Sequence, residues 1–253
     1  MEAKKKKQLL FLLVYVLLAC SLIFFLEPVY FYTVLIVLVP PTVLNFLWLK
    51  RSRIKVAVFA FVAVILFAPP VEIAARLANV WEVQTVFPEF LGLVSVENML
   101  FAFINFFWVL TFYEYFVDRD TDGKISKRYK YLVGSFCIFS VFFFVLYFYN
   151  QQLVTLNYFQ IAFFTLIIPS LIIFTKKPQL IKKTVLTTVF FALVFFVYEL
   201  VAIKIGNWWW PGEYWLTFNV WGEVFPVDDI IIWYFLSTPT LIGGYEFFAD
   251  DWR

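Results

Sequence analysis

Eight apolar runs, each close to the roughly 20 residues that a helix needs to cross a bilayer, constrain this chain more than any other feature. They span residues 9–26, 29–49, 54–77, 96–117, 131–149, 153–175, 184–205 and 227–248. Hydrophobic residues fill 63% of the 253 positions, which is typical of a membrane protein and not of a water-soluble domain. The sequence therefore predicts an all-α, polytopic membrane protein with about eight transmembrane helices. Within it, Pro69-Pro70 predicts a bent end of the third helix and residues 81–95 an interfacial loop.

Lysine and arginine fall in alternate loops of this eight-helix arrangement. They cluster in residues 4–7, 50–55, 119–130 and 176–183, whereas residues 81–95, 150–152 and 207–225 contain none. Positive charge marks the cytoplasmic side of a membrane protein, so we expect a multi-pass protein of the cell membrane with both termini in the cytoplasm. The basic start followed by an apolar run is also typical of a signal peptide. No small-residue cleavage site follows Leu26, and we interpret the run as the first helix.

The chain repeats itself at an offset of about 127 to 132 residues. Glu72 and Trp81 recur as Glu199 and Trp208. Residues 95–98 align with 226–229, and 113–116 align with 245–248. The alignment predicts two tandem parallel four-helix repeats, residues 1–125 and 126–253, within one integrated membrane domain. A pseudo-twofold axis along the membrane normal would then place helices three, four, seven and eight at the interface between the halves.

Five acids are predicted to lie at one depth of the membrane. They are Glu72, Glu97, Glu199, Asp228 and Asp229. Carboxyl groups clustered beside hydrocarbon hold at least one proton near neutral pH, because desolvation and mutual repulsion both disfavour their charged forms. Such a cluster can act as a Brønsted acid and base. The alternative is that the acids are separate interfacial groups, with Asp228 and Asp229 only favouring the start of a helix that has Pro226 at its first position.

The remaining composition narrows the chemistry. The chain has 35 Phe, 14 Tyr and 10 Trp, and aromatic faces stabilise cations, although Trp and Tyr also gather at membrane interfaces. It has no histidine, which excludes a catalytic histidine, a haem histidine and most catalytic zinc sites. Cys20 and Cys137 lie within apolar runs, so we expect neither a disulfide nor a metal cluster. No phosphate-binding glycine motif is present.

Residues 118–123 copy the first half of a calcium-binding loop. Asp118, Asp120 and Asp122 occupy positions 1, 3 and 5, and Gly123 occupies position 6. Tyr129 stands where the loop needs its final glutamate, and the surroundings are basic. We interpret the segment as a charged turn, with cation binding left open, and expect no metal site in the protein.

Through residues 198–208 and 226–229, and less closely through 72–81 and 95–98, the chain resembles the integral-membrane lycopene cyclase domain family. These are the small heterodimer-type and fused carotenoid cyclases. The resemblance covers essentially the whole chain and its tandem halves. The chain departs from the family pattern at Asp228-Asp229, where the family has two glutamates, at Asn98, which replaces an acid, and at Ser95, which stands where proline is expected and is suited to an N-cap.

The resemblance implies a proton-initiated cyclisation of a linear polyene end group through a carbocation, which is a net isomerisation. It implies Glu97 or Asp228 as the acid, and Glu199, Glu72 or Asp229 as the base or its partner. The expected substrate-binding residues are Asn98, Trp81, Trp208, Trp209 and Trp233. The reaction consumes no redox cofactor. Whether the protein uses a redox cofactor without consuming it is left open. The expected partners are a hydrophobic isoprenoid and the lipid bilayer but no nucleic acid, and association of several copies is left open.

Three other functions remain as alternatives. A carotenoid hydratase would use the same protonation but quench the cation with water. An intramembrane prenyltransferase is disfavoured because Asp228 and Asp229 are adjacent, with no further acid one turn on to hold magnesium diphosphate. A transporter or binding protein with parallel halves would place its acids nearer the middle of the membrane.

Overall fold

The computed structural model describes residues 2–250, and the chain there is a bundle of long helices joined by short loops. The helical segments are α1 (Ala3–Leu26), α2 (Tyr30–Val37), α3 (Val39–Trp48), α4 (Arg53–Leu77), α5 (Val96–Tyr113), α6 (Tyr129–Tyr149), α7 (Tyr158–Ala162), α8 (Ile168–Lys176), α9 (Gln179–Lys204), α10 (Val227–Asp229) and α11 (Thr238–Phe248). Three π-helical segments, Glu114–Asp118, Phe163–Ile167 and Ile230–Ser237, extend α5, join α7 to α8 and join α10 to α11. A short 3-10 helix covers Gln151–Leu153.

Seven helices in the described chain are long and apolar enough to cross a membrane. They are Ala3–Leu26, Tyr30–Trp48, Arg53–Leu77, Val96–Asp118, Tyr129–Tyr149, Tyr158–Lys176 and Gln179–Lys204. The eighth predicted run, 227–248, is helical throughout but is not among these seven. The helical character predicted from the apolar runs is therefore confirmed, although the sixth helix begins at Tyr158, later than the predicted residue 153.

Helix α4 continues through Pro69 and Pro70 to Leu77. Proline 70 has no N–H to offer the carbonyl of Leu66 four residues earlier, and an unpaired carbonyl is costly inside a membrane. The Ser140 hydroxyl of α6 donates a hydrogen bond to that carbonyl. A side chain from a neighbouring helix thus compensates for the proline, and α4 extends far enough to carry Glu72 into the bundle.

The basic clusters lie in loops and helix ends at one end of the bundle, and we call this the basic end. The 119–128 loop lies beside the turn before α4, because the Asp120 carboxylate accepts hydrogen bonds from the amides of Lys50 (2.5 Å) and Ser52 (2.8 Å). The opposite end, which carries Trp81 and the Trp208-Trp209-Trp210 block, we call the aromatic end.

Four short strands at the aromatic end depart from the all-α prediction. Strand β1 (Glu82–Val83) pairs antiparallel with β2 (Trp208–Trp209), so the loops after α4 and α9 are joined. Strands β3 (Thr217–Val220) and β4 (Glu223–Pro226) form a hairpin whose two turn residues, Trp221 and Gly222, both have positive φ. The predicted helical position of Pro226 is wrong, because Pro226 ends β4 and caps α10, but Asp228 and Asp229 do lie in the first helical turn.

The helices that carry Glu72 and Glu199 have related surroundings. Helix α4 packs against α5, α6 and α7, and α9 packs against α11, α1 and α2. Each of these two helices therefore contacts the first helices of the opposite half of the chain. The ends of α4 and α9 meet at the aromatic end, where the candidate site lies.

Candidate active site

An apolar cavity of about 140 Å³ lies among α4, α5, α9 and the Ile230–Ser237 segment. Its polar lining consists of Glu72, Asn98, Asn105, Glu199, Asp229, Tyr234 and Ser237. Its apolar and aromatic lining consists of Phe67, Ala68, Val71, Trp81, Met99, Phe101, Ala102, Phe106, Phe195, Trp208, Trp210 and Trp233. Three carboxyl groups thus face a cavity that is otherwise largely aromatic.

One side of the cavity is organised around Glu72. Its Oε2 atom accepts hydrogen bonds from the Trp81 indole N–H at 3.0 Å and from the Asn98 amide at 2.5 Å. The Tyr30 hydroxyl donates to Asn98 Oδ1 at 3.3 Å, which orients the amide so that its NH₂ group faces the carboxylate. Ser95 caps α5 by accepting a hydrogen bond from the Asn98 backbone N–H at 3.0 Å, as the sequence predicts.

The opposite side is organised around Glu199 and Asp229. The Tyr234 hydroxyl donates to Glu199 Oε2, and the Tyr158 hydroxyl donates to Asp229 Oδ1 at 3.3 Å. The two carboxyl groups are close enough to interact electrostatically. Neighbouring buried carboxyl groups favour a state in which at least one of them is protonated, because desolvation and mutual repulsion both disfavour two charges.

The two sides have related arrangements. Tyr30 contacts Asn98 as Tyr158 contacts Asp229, and each pair lies beside a glutamate of a long helix. The two sides also differ. An amide at position 98 replaces the carboxyl group of position 229, and Glu72 accepts from a tryptophan whereas Glu199 accepts from a tyrosine. The cavity therefore has a single carboxyl on one side and a carboxyl pair on the other.

Several buried polar atoms of the cavity lining have no partner within residues 2–250. No amide, indole or phenol group reaches Glu72 Oε1 or Asp229 Oδ2, and the indole N–H groups of Trp208 and Trp210 reach no acceptor. Buried polar atoms are nearly always hydrogen-bonded, and exceptions concentrate at functional sites. These atoms can therefore form hydrogen bonds with a polar group that enters the cavity.

Aromatic rings form the rest of the wall. Trp81 and Trp233 meet edge to face at 6.0 Å between ring centroids. Phe101 stacks on Tyr198 at 6.1 Å and meets Trp208 edge to face at 5.8 Å. These contacts fix the rings relative to one another, and an aromatic face attracts a cation held within about 6 Å.

Seven of the residues predicted for the site line this cavity, and three do not. Those that line it are Glu72, Asn98, Trp81, Glu199, Trp208, Asp229 and Trp233. Glu97 instead accepts hydrogen bonds from the backbone N–H groups of Val86 (2.5 Å) and Phe87 (2.9 Å). Asp228 accepts one from the Trp215 backbone at 2.6 Å. Both acids therefore bind loop amides at the aromatic end. The third residue, Trp209, lies on β2 and is 41% exposed.

The structure adds tyrosines and a tryptophan that the sequence reasoning missed. Tyr234 and Trp210 line the cavity, and Tyr30 and Tyr158 support the residues that do. Tyr30 and Tyr158 are separated by an offset like that of the predicted repeat, which is the signal that could have revealed them. Nearby, Tyr214 donates to the Val80 carbonyl. Burial, with help from Asp229 and Asp228, raises the pKa of Tyr214 and keeps this donor protonated.

A second buried polar network lies at the basic end, away from the cavity. Lys55 Nζ is 3.1 Å from Glu114 Oε1 and 2.8 Å from Asp250 Oδ2. Lys183 Nζ is 3.2 Å from Asp118 Oδ1 and 3.6 Å from Glu246 Oε1. Carboxylate oxygens of Glu114, Asp118 and Asp250 come within 4.8 Å of one another, but Lys55 already supplies a cation to two of them.

The acids of the predicted charged turn contact protein groups. Asp118 pairs with Lys183, Asp120 binds the 50–52 turn, and Asp122 accepts a hydrogen bond from the Lys124 backbone at 3.0 Å. These contacts favour the interpretation of the segment as a structural turn.

Comparison of the chain with protein-family models, with curated proteins and with solved structures gave no match.

Proposed function

We propose that this protein is a carotenoid cyclase that protonates the end group of a linear, lycopene-type polyene within the membrane and closes it to a ring. The observation that carries the proposal is the convergence of Glu72, Glu199 and Asp229 on one aromatic-lined cavity. Cyclisation started by protonation of an unactivated double bond needs an acid, a base and a site poor in water, and carboxyl groups on both sides of a largely aromatic cavity support such a reaction. The family resemblance of the sequence supports the same function.

The proposal includes eight transmembrane helices arranged as two tandem parallel repeats, with both termini in the cytoplasm. Tyr30 and Tyr158, and likewise Lys55 and Lys183, are separated by the repeat offset and make related contacts. This recurrence supports the duplication. The basic end, with its lysines and arginines, would face the cytoplasm. The aromatic end and the cavity beside it would then lie toward the opposite side of the membrane.

The Glu199–Asp229 pair is the proton donor in this proposal. In this proposal the pair carries one proton beside the cavity, and the Tyr158 and Tyr234 hydroxyls stabilise the charge that remains after transfer. Glu97 and Asp228, which the sequence favoured as acids, bind loop amides outside the cavity lining. The role of acid therefore moves by one residue along the helix, from Asp228 to Asp229.

The proton adds to the terminal double bond of the polyene, and the resulting tertiary cation is attacked by a neighbouring double bond to form the ring. The faces of Trp81, Trp208 and Trp233 stabilise the positive charge. Glu72 then removes a different proton, so that no atom is gained or lost overall. Its Oε2 atom accepts hydrogen bonds from Trp81 and Asn98, while Oε1 has no partner among residues 2–250 and can accept that proton.

The size and surroundings of the cavity suit an end group and not a whole polyene. An apolar protein cavity of about 150 Å³ is known to bind benzene, so a cavity of about 140 Å³ can hold one six-membered ring. Phe67, Val71, Ala102 and Phe106, part of its apolar lining, are partly exposed on spanning helices. The remaining chain of the substrate would leave between these side chains into the bilayer.

The proposal is tested by expressing the chain in a bacterial host that accumulates lycopene and separating the pigments by chromatography with mass detection. We expect a cyclic product of unchanged mass. A product heavier by one water would replace cyclase with hydratase on the same acids. Unchanged lycopene, with the protein shown to be folded in the membrane, would contradict both.

A further inference from the structure

A second cavity, of about 600 Å³, opens at the basic end between α1, the Glu114–Asp118 segment and α9, and we call it the basic cleft. Its lining consists of Glu2, Lys5, Phe116, Val117, Arg119, Lys182, Lys183 and Leu186. Four cations and one acid thus surround a floor of three apolar side chains. None of these residues takes part in the proposed cyclisation.

The charges of the basic cleft are only partly balanced by the protein. Lys183 pairs with Asp118 and Glu246, and Lys5 Nζ donates to the Tyr115 carbonyl at 2.5 Å while lying over the Tyr115 ring. Arg119 and Lys182 are exposed and have no hydrogen-bond or ion-pair acceptor within residues 2–250. With Lys5, Arg119 and Lys182 set against Glu2 alone, the cleft retains an excess of positive charge.

The surfaces that lead away from the cleft are apolar. On α1, Leu10 and Leu17 are 61% and 53% exposed, and on α9, Val185 and Val189 are 52% and 48% exposed. Both helices are apolar enough to cross a membrane, so these side chains face lipid. A ligand with a negatively charged headgroup and hydrocarbon chains would pair with the cations of the cleft and pack against its apolar side chains at the same time.

We infer that the basic cleft binds the headgroup of an anionic phospholipid, with its acyl chains along α1 and α9. Arg119 and Lys182 bind the phosphate directly, because they are the two cations of the cleft that have no acceptor among residues 2–250. Basic pockets between transmembrane helices are a recognised way of binding anionic headgroups, and each Lys or Arg contributes about 1 kcal/mol near a charged lipid surface. This inference is independent of the proposed cyclase activity.

The test uses the full chain in neutral detergent, with lipid binding followed by native mass spectrometry. Phosphatidylglycerol is the probe, phosphatidylcholine the neutral control, and inorganic phosphate the control for a headgroup without chains. The double variant R119Q/K182Q is compared with K124Q/K127Q, which removes two exposed lysines from the neighbouring loop and changes the net charge equally.

We expect phosphatidylglycerol to be retained in preference to phosphatidylcholine, and R119Q/K182Q to weaken it on the order of tenfold or more while K124Q/K127Q has little effect. Equal binding of the two lipids would overturn the inference, as would equal losses in the two double variants. Inorganic phosphate that binds as tightly as phosphatidylglycerol would also overturn it in favour of a small-anion site. Because the readout is binding, a failed cyclase assay would leave this result unaffected.

Discussion

Tyr113 donates a hydrogen bond to Glu246, a residue 133 positions further along the chain. The reciprocal contact is present as well, since Tyr245 donates to Glu114. Tyr113 directly precedes Glu114, and Tyr245 directly precedes Glu246. Each tyrosine nevertheless binds the glutamate that follows the other tyrosine. Lys55 and Lys183 complete the network, and each contacts acids from both halves of the chain. The contacts at the basic end thus join the two halves of the chain, whereas the Tyr30–Asn98 and Tyr158–Asp229 contacts at the cavity each lie within one half.

Replacing Lys55 with methionine tests how much this network stabilises the fold. The Lys55, Glu114 and Asp250 side chains are at most 2% exposed, so the variant leaves carboxylates buried without their cation. We expect a loss of about 3–5 kcal/mol in unfolding free energy, measured by thermal unfolding in detergent micelles. Lys183→Met is the matched control, and because Lys183 is 29% exposed its loss should be smaller. Equal losses in the two variants would contradict the conclusion that the more deeply buried lysine contributes more to stability.

Ser140 and Pro70 should be energetically coupled through the Leu66 carbonyl. Ser140→Ala removes the donor that compensates for the proline, and we expect a cost of about 1–3 kcal/mol. In the Pro70→Ala background the backbone N–H is restored, so the same serine change should cost less by roughly 1 kcal/mol. A double-mutant cycle on unfolding free energies measures the difference. If the effects of the two substitutions were strictly additive, the Ser140 hydroxyl would not compensate for the missing N–H of Pro70.

Gly123 has no room for a side chain. A Cβ atom there would lie 2.5 Å from the Arg51 carbonyl oxygen, which belongs to the backbone. We expect Gly123→Ala to destabilise the protein by about 1–3 kcal/mol, since backbone has to move. Gly134→Ala is the control, because its Cβ would meet nothing within 4 Å in the middle of α6, and helix propensity favours alanine by about 1 kcal/mol. A milder effect at position 123 than at 134 would refute the contact.

The attachment of the 119–128 loop should weaken in acid. Burial raises the pKa of Asp120, but hydrogen bonds from the Ser52 and Lys50 amides and the Ser52 hydroxyl outweigh it and lower the pKa below its ordinary value. A carboxyl group with a lowered pKa stabilises the fold above its unfolded pKa of about 4, and this contribution is lost as the pH falls through the folded value. The difference in melting temperature between wild type and Asp120→Asn should therefore be largest near neutral pH and disappear in acid. A difference that does not change with pH would rule out this linkage.

The sequence predicts the helices well because apolar length alone determines them, and the repeat drew attention to Glu72, Glu199 and Asp229, which line one cavity. It did not distinguish Glu97 from Asn98, or Asp228 from Asp229. Neighbouring residues on a helix point about 100° apart, and which one faces a cavity depends on how the helix is rotated against its neighbours. The β1–β2 pairing was missed because it joins two loops far apart in sequence. Tyr234 and Tyr158 lie in apolar runs, where a tyrosine is not distinguishable from an ordinary interfacial ring.

The most direct test of the account compares Asp229→Asn with Asp228→Asn in the lycopene-accumulating host, with cyclised product measured per amount of membrane-inserted protein. The two residues are adjacent and the substitutions are chemically identical, but only Asp229 lines the cavity. We predict that Asp229→Asn lowers product formation by at least about 10²-fold, the usual contribution of a general acid. Asp228→Asn, which keeps an acceptor for the Trp215 amide, should stay within a few-fold of wild type. Full activity in Asp229→Asn, or a larger loss in Asp228→Asn, would contradict the assignment of the cavity as the active site.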